Sequence, residues 1–223
     1  MNSLYKKLQE SAILARVFPF LIFVTLTSTQ GILGPESHFW IYLLKTLLGV
    51  WMVWIIWPLV GEMRWAFSTE AIGGGILVFI VWISLDNFQY PKLTPSDDAW
   101  NLNKHFKQDS VLFWLFATTR IIGSTLIVPL LEEVFYRSFL YRYILTKNWL
   151  FTPYNLFDIR PFIITSIIFG LTHSHWLAGV ICGMIYQAIV LKTNRLGDAI
   201  TAHAITNCLL GFWVITQQNW HLW

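Results

Sequence analysis

Three short motifs set side chains capable of acid–base chemistry at helical spacing: Glu132-Glu133-x-x-x-Arg137, Phe169-x-x-x-His173 and His203-x-x-x-Asn207. Residues four apart share a face of an α-helix. The first motif lies in TLIVPLLEEVFYRSFLYRYIL, which otherwise reads as membrane-buried helix. A carboxylate inside hydrocarbon costs about 2.5–3.5 kcal/mol on insertion scales, so a chain that keeps one there is expected to pair it and use it. The chemistry such a set supports is hydrolysis. Glu132 with His173 can hold and deprotonate a water, because a carboxylate withdrawn from water is a stronger base. His203 and Asn207 can donate hydrogen bonds to the oxyanion of a tetrahedral intermediate. Glu133 and Arg137 can pair and orient the first carboxylate. A second chemistry uses the same atoms: Glu132, His173 and His203 form a carboxylate and two-imidazole set like that of a catalytic zinc site with an open position for water. No HExxH is present, and the sequence does not separate metal-activated from glutamate-activated water.

The elements that must position these groups are membrane helices. The chain is 56% hydrophobic and only 12% charged, about half the charge of a soluble domain. That leaves too little polar surface for a globule and implies an all-α, polytopic transmembrane bundle of about seven or eight helices around a polar cavity. Apolar stretches at 12–33, 39–60, 70–88, 111–145, 161–175, 176–192 and 196–217 are the candidate spans. The fifth and sixth are short for a ~30 Å hydrocarbon core, and 111–145 is too long for one straight crossing. Pro129 is expected to kink it just before the acidic pair. The N-terminal stretch imitates a secretory signal but lacks a small-x-small cleavage site, so it reads as an uncleaved first span. Residues 1–110 read as N-terminal helices with an outer loop at 86–110, and residues 111–217 as the catalytic core of one membrane domain.

Basic residues set the orientation. With a cytoplasmic N-terminus, Lys6, Lys7, Arg16, Arg64, Arg137, Arg142, Lys147, Arg160, Lys192 and Arg195 gather inside, and Lys92, Lys104 and Lys107 outside. No basic patch suits nucleic acid. Cys182 and Cys208 sit alone in apolar stretches and read as free thiols. Gly73, Gly74 and Gly75 read as close helix packing. Counted from the interfacial arginines at about 1.5 Å per residue, Glu132 lies about 15 Å deep, His173 about 20 Å, His203 about 12 Å and Asn207 about 18 Å. Distant segments therefore carry carboxylate, imidazoles and amide to similar depths.

Each residue also has a structural reading. Glu132 and Glu133 can be interfacial charges with Arg137 snorkelling, His173 a satisfied helix-end histidine beside His175, and His203 and Asn207 interhelical glue. His38, His105 and His221 fall at loops or the terminus and receive no role. A proton-coupled transporter would use the same buried charges, but no inverted repeat supports it. A non-catalytic immunity or partner-binding protein is the other alternative.

EEVFYR, FGLTH and HAITN, in this order in a multispanning chain, resemble the CPBP family of intramembrane proteases, which includes type II CAAX prenyl endopeptidases and bacterial Abi proteins. The resemblance covers residues 111–217. It implies an endopeptidase acting on a membrane-associated protein or peptide, with Glu132, Glu133, Arg137, His173, His203 and Asn207 in the catalytic positions, Phe169 in the aromatic one, and a bacterial inner membrane as the location. The N-terminal half, including GILGPESHFWIYLLKTLLG, resembles CAAX-protease-related proteins encoded with exosortase systems. That implies partners in the envelope-export machinery.

Overall fold

The computed structural model describes residues 2–88, 90–93 and 100–223. The described residues form a helical bundle. A short polar helix α1 (Asn2–Glu10) precedes α2 (Ala12–Ser28) and α3 (Ser37–Ile56), and α4 (Thr69–Asp86) follows. After a single-turn helix α5 (Leu102–His105) comes the long α6 (Val111–Leu145), then α7 (Ile159–Leu171), α8 (Trp176–Thr193) and α9 (Leu196–Gln217). Five helices, α3, α4, α6, α8 and α9, are long and apolar enough to cross a membrane; α2 and α7 are shorter apolar helices. The expectation is thus corrected at two elements. α2 stops at Ser28, and α8 reaches the length of a full span. The 86–110 loop carries a short helix, α5, while its residues 89 and 94–99 lie outside the described set.

Side-chain caps set several helix starts. Ser11, Ser68, Ser110 and Asp158 each accept a hydrogen bond from a backbone N–H of the first turn of α2, α4, α6 and α7. Asn194 and Gln218, both left-handed, close α8 and α9. Large apolar side chains such as Leu47, Trp54, Leu77 and Ile80 face outward on the spans, as lipid-facing positions require.

α6 stays helical through Pro129, and its winding widens twice, over Gly123–Ile127 and Val134–Tyr141, where the helix is π-helical. The Val128 N–H donates to the Gly123 carbonyl, five residues back. The first wide turn relieves the clash a proline would make in regular winding, and such turns recur at functional sites. Between them, Val128–Glu133 is an α-helical segment that carries the acidic pair.

Close helix approach holds the core. A Cβ at Gly75 would stand 2.6 Å from the Ala202 carbonyl oxygen, so α4 and α9 touch there; Gly74 meets Ile189 of α8. A Cβ at Gly179 would stand 2.8 Å from the Gly170 Cα, which locks α7 against α8 next to His173. The close-packing reading of the glycine run therefore holds at Gly74 and Gly75, whereas Gly73 faces open space.

The two ends of the bundle are closed by polar networks. At the end where α3 leads to α4, Glu62 takes an ion pair from Arg16 at 2.7 Å and a hydrogen bond from the Ser138 hydroxyl. Arg142 donates to the Ser138 carbonyl at 2.6 Å and to the Ser138 hydroxyl at 2.8 Å. Burial acts to raise the Glu62 carboxyl, but the Arg16 charge and the Ser138 hydroxyl outweigh it and leave its pKa below the ordinary value. Burial pushes Tyr154, which reaches the same serine at 3.2 Å, up to about 12. At the opposite end, Asp86 accepts from Lys92 at 3.1 Å, His175 at 3.0 Å and His221 at 2.7 Å. His221, given no role from sequence, thus ties the C-terminal segment to α4.

Candidate active site

Between these ends lies a cavity of about 770 Å³. Its walls include Glu132 of α6, His173 after α7, and His203 and Asn207 of α9, so four of the six expected residues face one space. Phe20 and Phe23 of α2, Tyr42 and Lys45 of α3 and Trp82 of α4 complete it, and the first 110 residues are therefore part of the chamber.

Glu132 is half-buried, and its Oε2 has no hydrogen-bond partner among the described residues. A buried acceptor without a partner is costly, and here it faces the cavity. His173 is set by the end of α7. Its Nδ1 lies 2.8 Å from the Phe169 carbonyl, which can only accept, so Nδ1 carries the hydrogen and Nε2 of the neutral ring holds a lone pair. The Thr172 hydroxyl comes within 3.2 Å of Nδ1, and it too donates to the Phe169 carbonyl, at 2.7 Å.

Glu133 and Arg137 lie behind the cavity wall, 0% and 2% exposed. They pair as expected, Arg137 Nε standing 3.1 Å from Glu133 Oε2. Their task differs from the expected one. Glu133 Oε1 lies 2.8 Å from His203 Nδ1, so the second carboxylate orients His203 and not Glu132. Arg137 also donates to the Gly183 carbonyl of α8 at 3.2 Å and stands 4.4 Å above the Phe169 ring. Arg137 is thus an internal tie between α6, α7 and α8.

His203 is held on its faces as well. Tyr186 stacks on it with ring centres 5.0 Å apart, and Phe169 meets it edge-on at 5.9 Å. The Tyr186 hydroxyl donates to Thr206 at 2.9 Å. Asn207 Nδ2 donates one hydrogen to the Ser124 carbonyl at 2.8 Å, which lies in the first wide turn of α6. An amide nitrogen carries two hydrogens, so the second is free for a ligand.

Tyr186, Ser124, Lys45 and Arg120 line the same cavity and lie outside the sequence motifs. The first two act through contacts between distant segments and carry no local signal. The two cations did carry one, since each lies in an apolar stretch where a charge is expensive.

The donor chemistry of Glu132 and the two imidazoles suits zinc, but among the described residues no three His, Cys, Asp or Glu side chains stand close enough together to hold an ion. Spacing thus gives no support to a metal centre in this arrangement. Cys182 and Cys208 are free.

Residues 112–209 match the family model described as type II CAAX prenyl endopeptidase Rce1-like. The matched segment runs from α6 to α9 and contains all six expected site residues. No curated protein and no solved structure matches the chain.

Proposed function

We propose, from a chain that belongs through residues 112–209 to the type II CAAX prenyl endopeptidase Rce1-like family and is an integral membrane protein with five long apolar helices, that Glu132 is the general base of an intramembrane endopeptidase. Its substrate is a membrane-associated protein or peptide. The observation that supports this most is the convergence of Glu132, His173, His203 and Asn207 on one cavity from three separate stretches of sequence.

Water sits between the free Oε2 of Glu132 and the Nε2 lone pair of His173. Glu132 takes a proton as the water oxygen bonds to the scissile carbonyl carbon. The oxyanion accepts from the second hydrogen of Asn207 and from His203 Nε2. To donate there His203 must carry protons on both nitrogens, with the Glu133 carboxylate at 2.8 Å as its counter-ion. The proton held by Glu132 passes to the leaving nitrogen as the C–N bond breaks. No step passes through a metal.

The test compares the termini of membrane proteins in the native host carrying wild type or Glu132→Ala. One protein should show a new terminus only with wild type, and the same terminus should persist when cells are treated with a chelator. Identical termini in both strains would refute the enzyme. Loss on chelation alone would replace glutamate-activated water with metal-activated water.

A further inference from the structure

Two cations, Lys45 and Arg120, and the amide of Gln30 line the same cavity as Glu132. Lys45 is 5% exposed, and its ammonium meets only the Thr27 hydroxyl at 2.9 Å and the rings of Phe23 and Tyr42 at 4.4 and 4.5 Å. Arg120 lies over Trp100 at 3.9 Å and over the same Tyr42 ring at 4.9 Å. Neither forms an ion pair with a carboxylate among the described residues, Glu132 being the acidic side chain within electrostatic reach of Lys45, and both line the cavity. Gln30, on the same cavity, holds a buried Nε2 with no hydrogen-bond partner among the described residues. Two cations gathered on one ring repel each other and lack water's compensation, so ring faces offset only part of the cost. An anion seated between them would satisfy both charges and the amide with charge-assisted hydrogen bonds.

We infer that Lys45, Arg120 and Gln30 form a subsite for a carboxylate of the peptide substrate that selects substrates by charge. This rests on the protease reading and adds the specificity that reading lacks. On an α-helix about 18 Å of axial rise separates Arg120 from Glu132, which an extended peptide spans with about five residues. The acidic group therefore lies within about five residues of the scissile bond. A peptide is favoured over a lipid phosphate because the subsite shares one cavity with Glu132 and His173, and a chain bound at one end presents its backbone to the other.

Binding decides the matter without cleavage. The full chain in detergent is titrated with N-dodecanoyl apolar peptides bearing a free C-terminal carboxylate, an Asp side chain with an amidated terminus, or neither, and with dodecyl phosphate. At least one carboxylate peptide should bind about tenfold or more tightly than the neutral one, as charged hydrogen bonds require. The better carboxylate identifies terminus or side chain as the source. The advantage should vanish in the Lys45→Met, Arg120→Gln double variant. Equal binding of neutral and acidic peptides by wild type would overturn the subsite, and that result needs no variant to fold. Selectivity for dodecyl phosphate alone would overturn it in favour of a lipid anion. An acid advantage unchanged in the double variant would also overturn it. Charge-selective binding with no proteolysis in the host would leave the subsite standing and remove the protease; proteolysis blind to charge would do the reverse.

Discussion

The cavity and the Glu62 end of the bundle hold the same kinds of groups under opposite conditions. At the end, every charge has a partner: Glu62 faces Arg16 and Ser138, and Arg142 fills its hydrogen bonds with Ser138 and the carbonyls of Leu150 and Thr152. In the cavity, among the described residues, Glu132 Oε2 and Gln30 Nε2 lack hydrogen-bond partners, and neither Lys45 nor Arg120 forms an ion pair. A saturated network ties helices together and can do nothing more. An unsaturated one keeps its capacity for a ligand. Glu133 stands between the two regimes, ion-paired with Arg137 through an Oε2 that makes no hydrogen bond and committed to His203 through Oε1.

This contrast can be broken at several depths. Glu132→Gln keeps shape and removes the base, so kcat on the peptide identified in the host should fall about 10³-fold while the fold persists; retained turnover would dissolve the distinction. Asn207→Ala should lower kcat about 100-fold with little change in KM, because its free hydrogen acts on the oxyanion and not on the ground state. Glu133→Gln should cost about 10- to 100-fold in activity through a misoriented His203. It should also lower the melting temperature, because Arg137 loses its buried counter-charge.

At the saturated end the pattern should invert. Ser138→Ala leaves Glu62, Arg142 and Tyr154 each short of one bond, a loss of about 1–3 kcal/mol in stability, with turnover per folded molecule unchanged. A drop in kcat would show that the end is not purely structural. The smallest effect is acid sensitivity. The Glu62 pKa is depressed by folding, so its contribution is present above the ordinary carboxylate value and fades as pH falls through the lower folded value. Melting curves should show wild type losing more stability than Glu62→Gln across that acid window.

Much of this was written in the sequence. A carboxylate in hydrocarbon is expensive wherever it occurs, so Glu132, His173, His203 and Asn207 were legible as a set. Apolar runs marked the spans for the same reason. Lys45 and Arg120 violate the same rule, yet their meaning lies in what does not surround them, and only packing reveals a missing partner. The Glu133 bond to His203 joins positions 70 residues apart, with no local trace. The wide turns of α6 are likewise invisible to pattern, because Pro129 announces a disturbance but not whether the backbone bends or unwinds to absorb it.

Those wide turns bracket the six residues Val128–Glu133. Each behaves as a phase shim in a screw thread. A wide turn takes up one residue more than regular winding at nearly the same phase, so a single deletion within Gly123–Ile127 or Val134–Tyr141 would be absorbed as the turn tightens, leaving Arg120, Glu132 and Arg142 close to their present bearings. The wide turns thus give α6 slack to lose a residue without turning its carboxylates away from their neighbours.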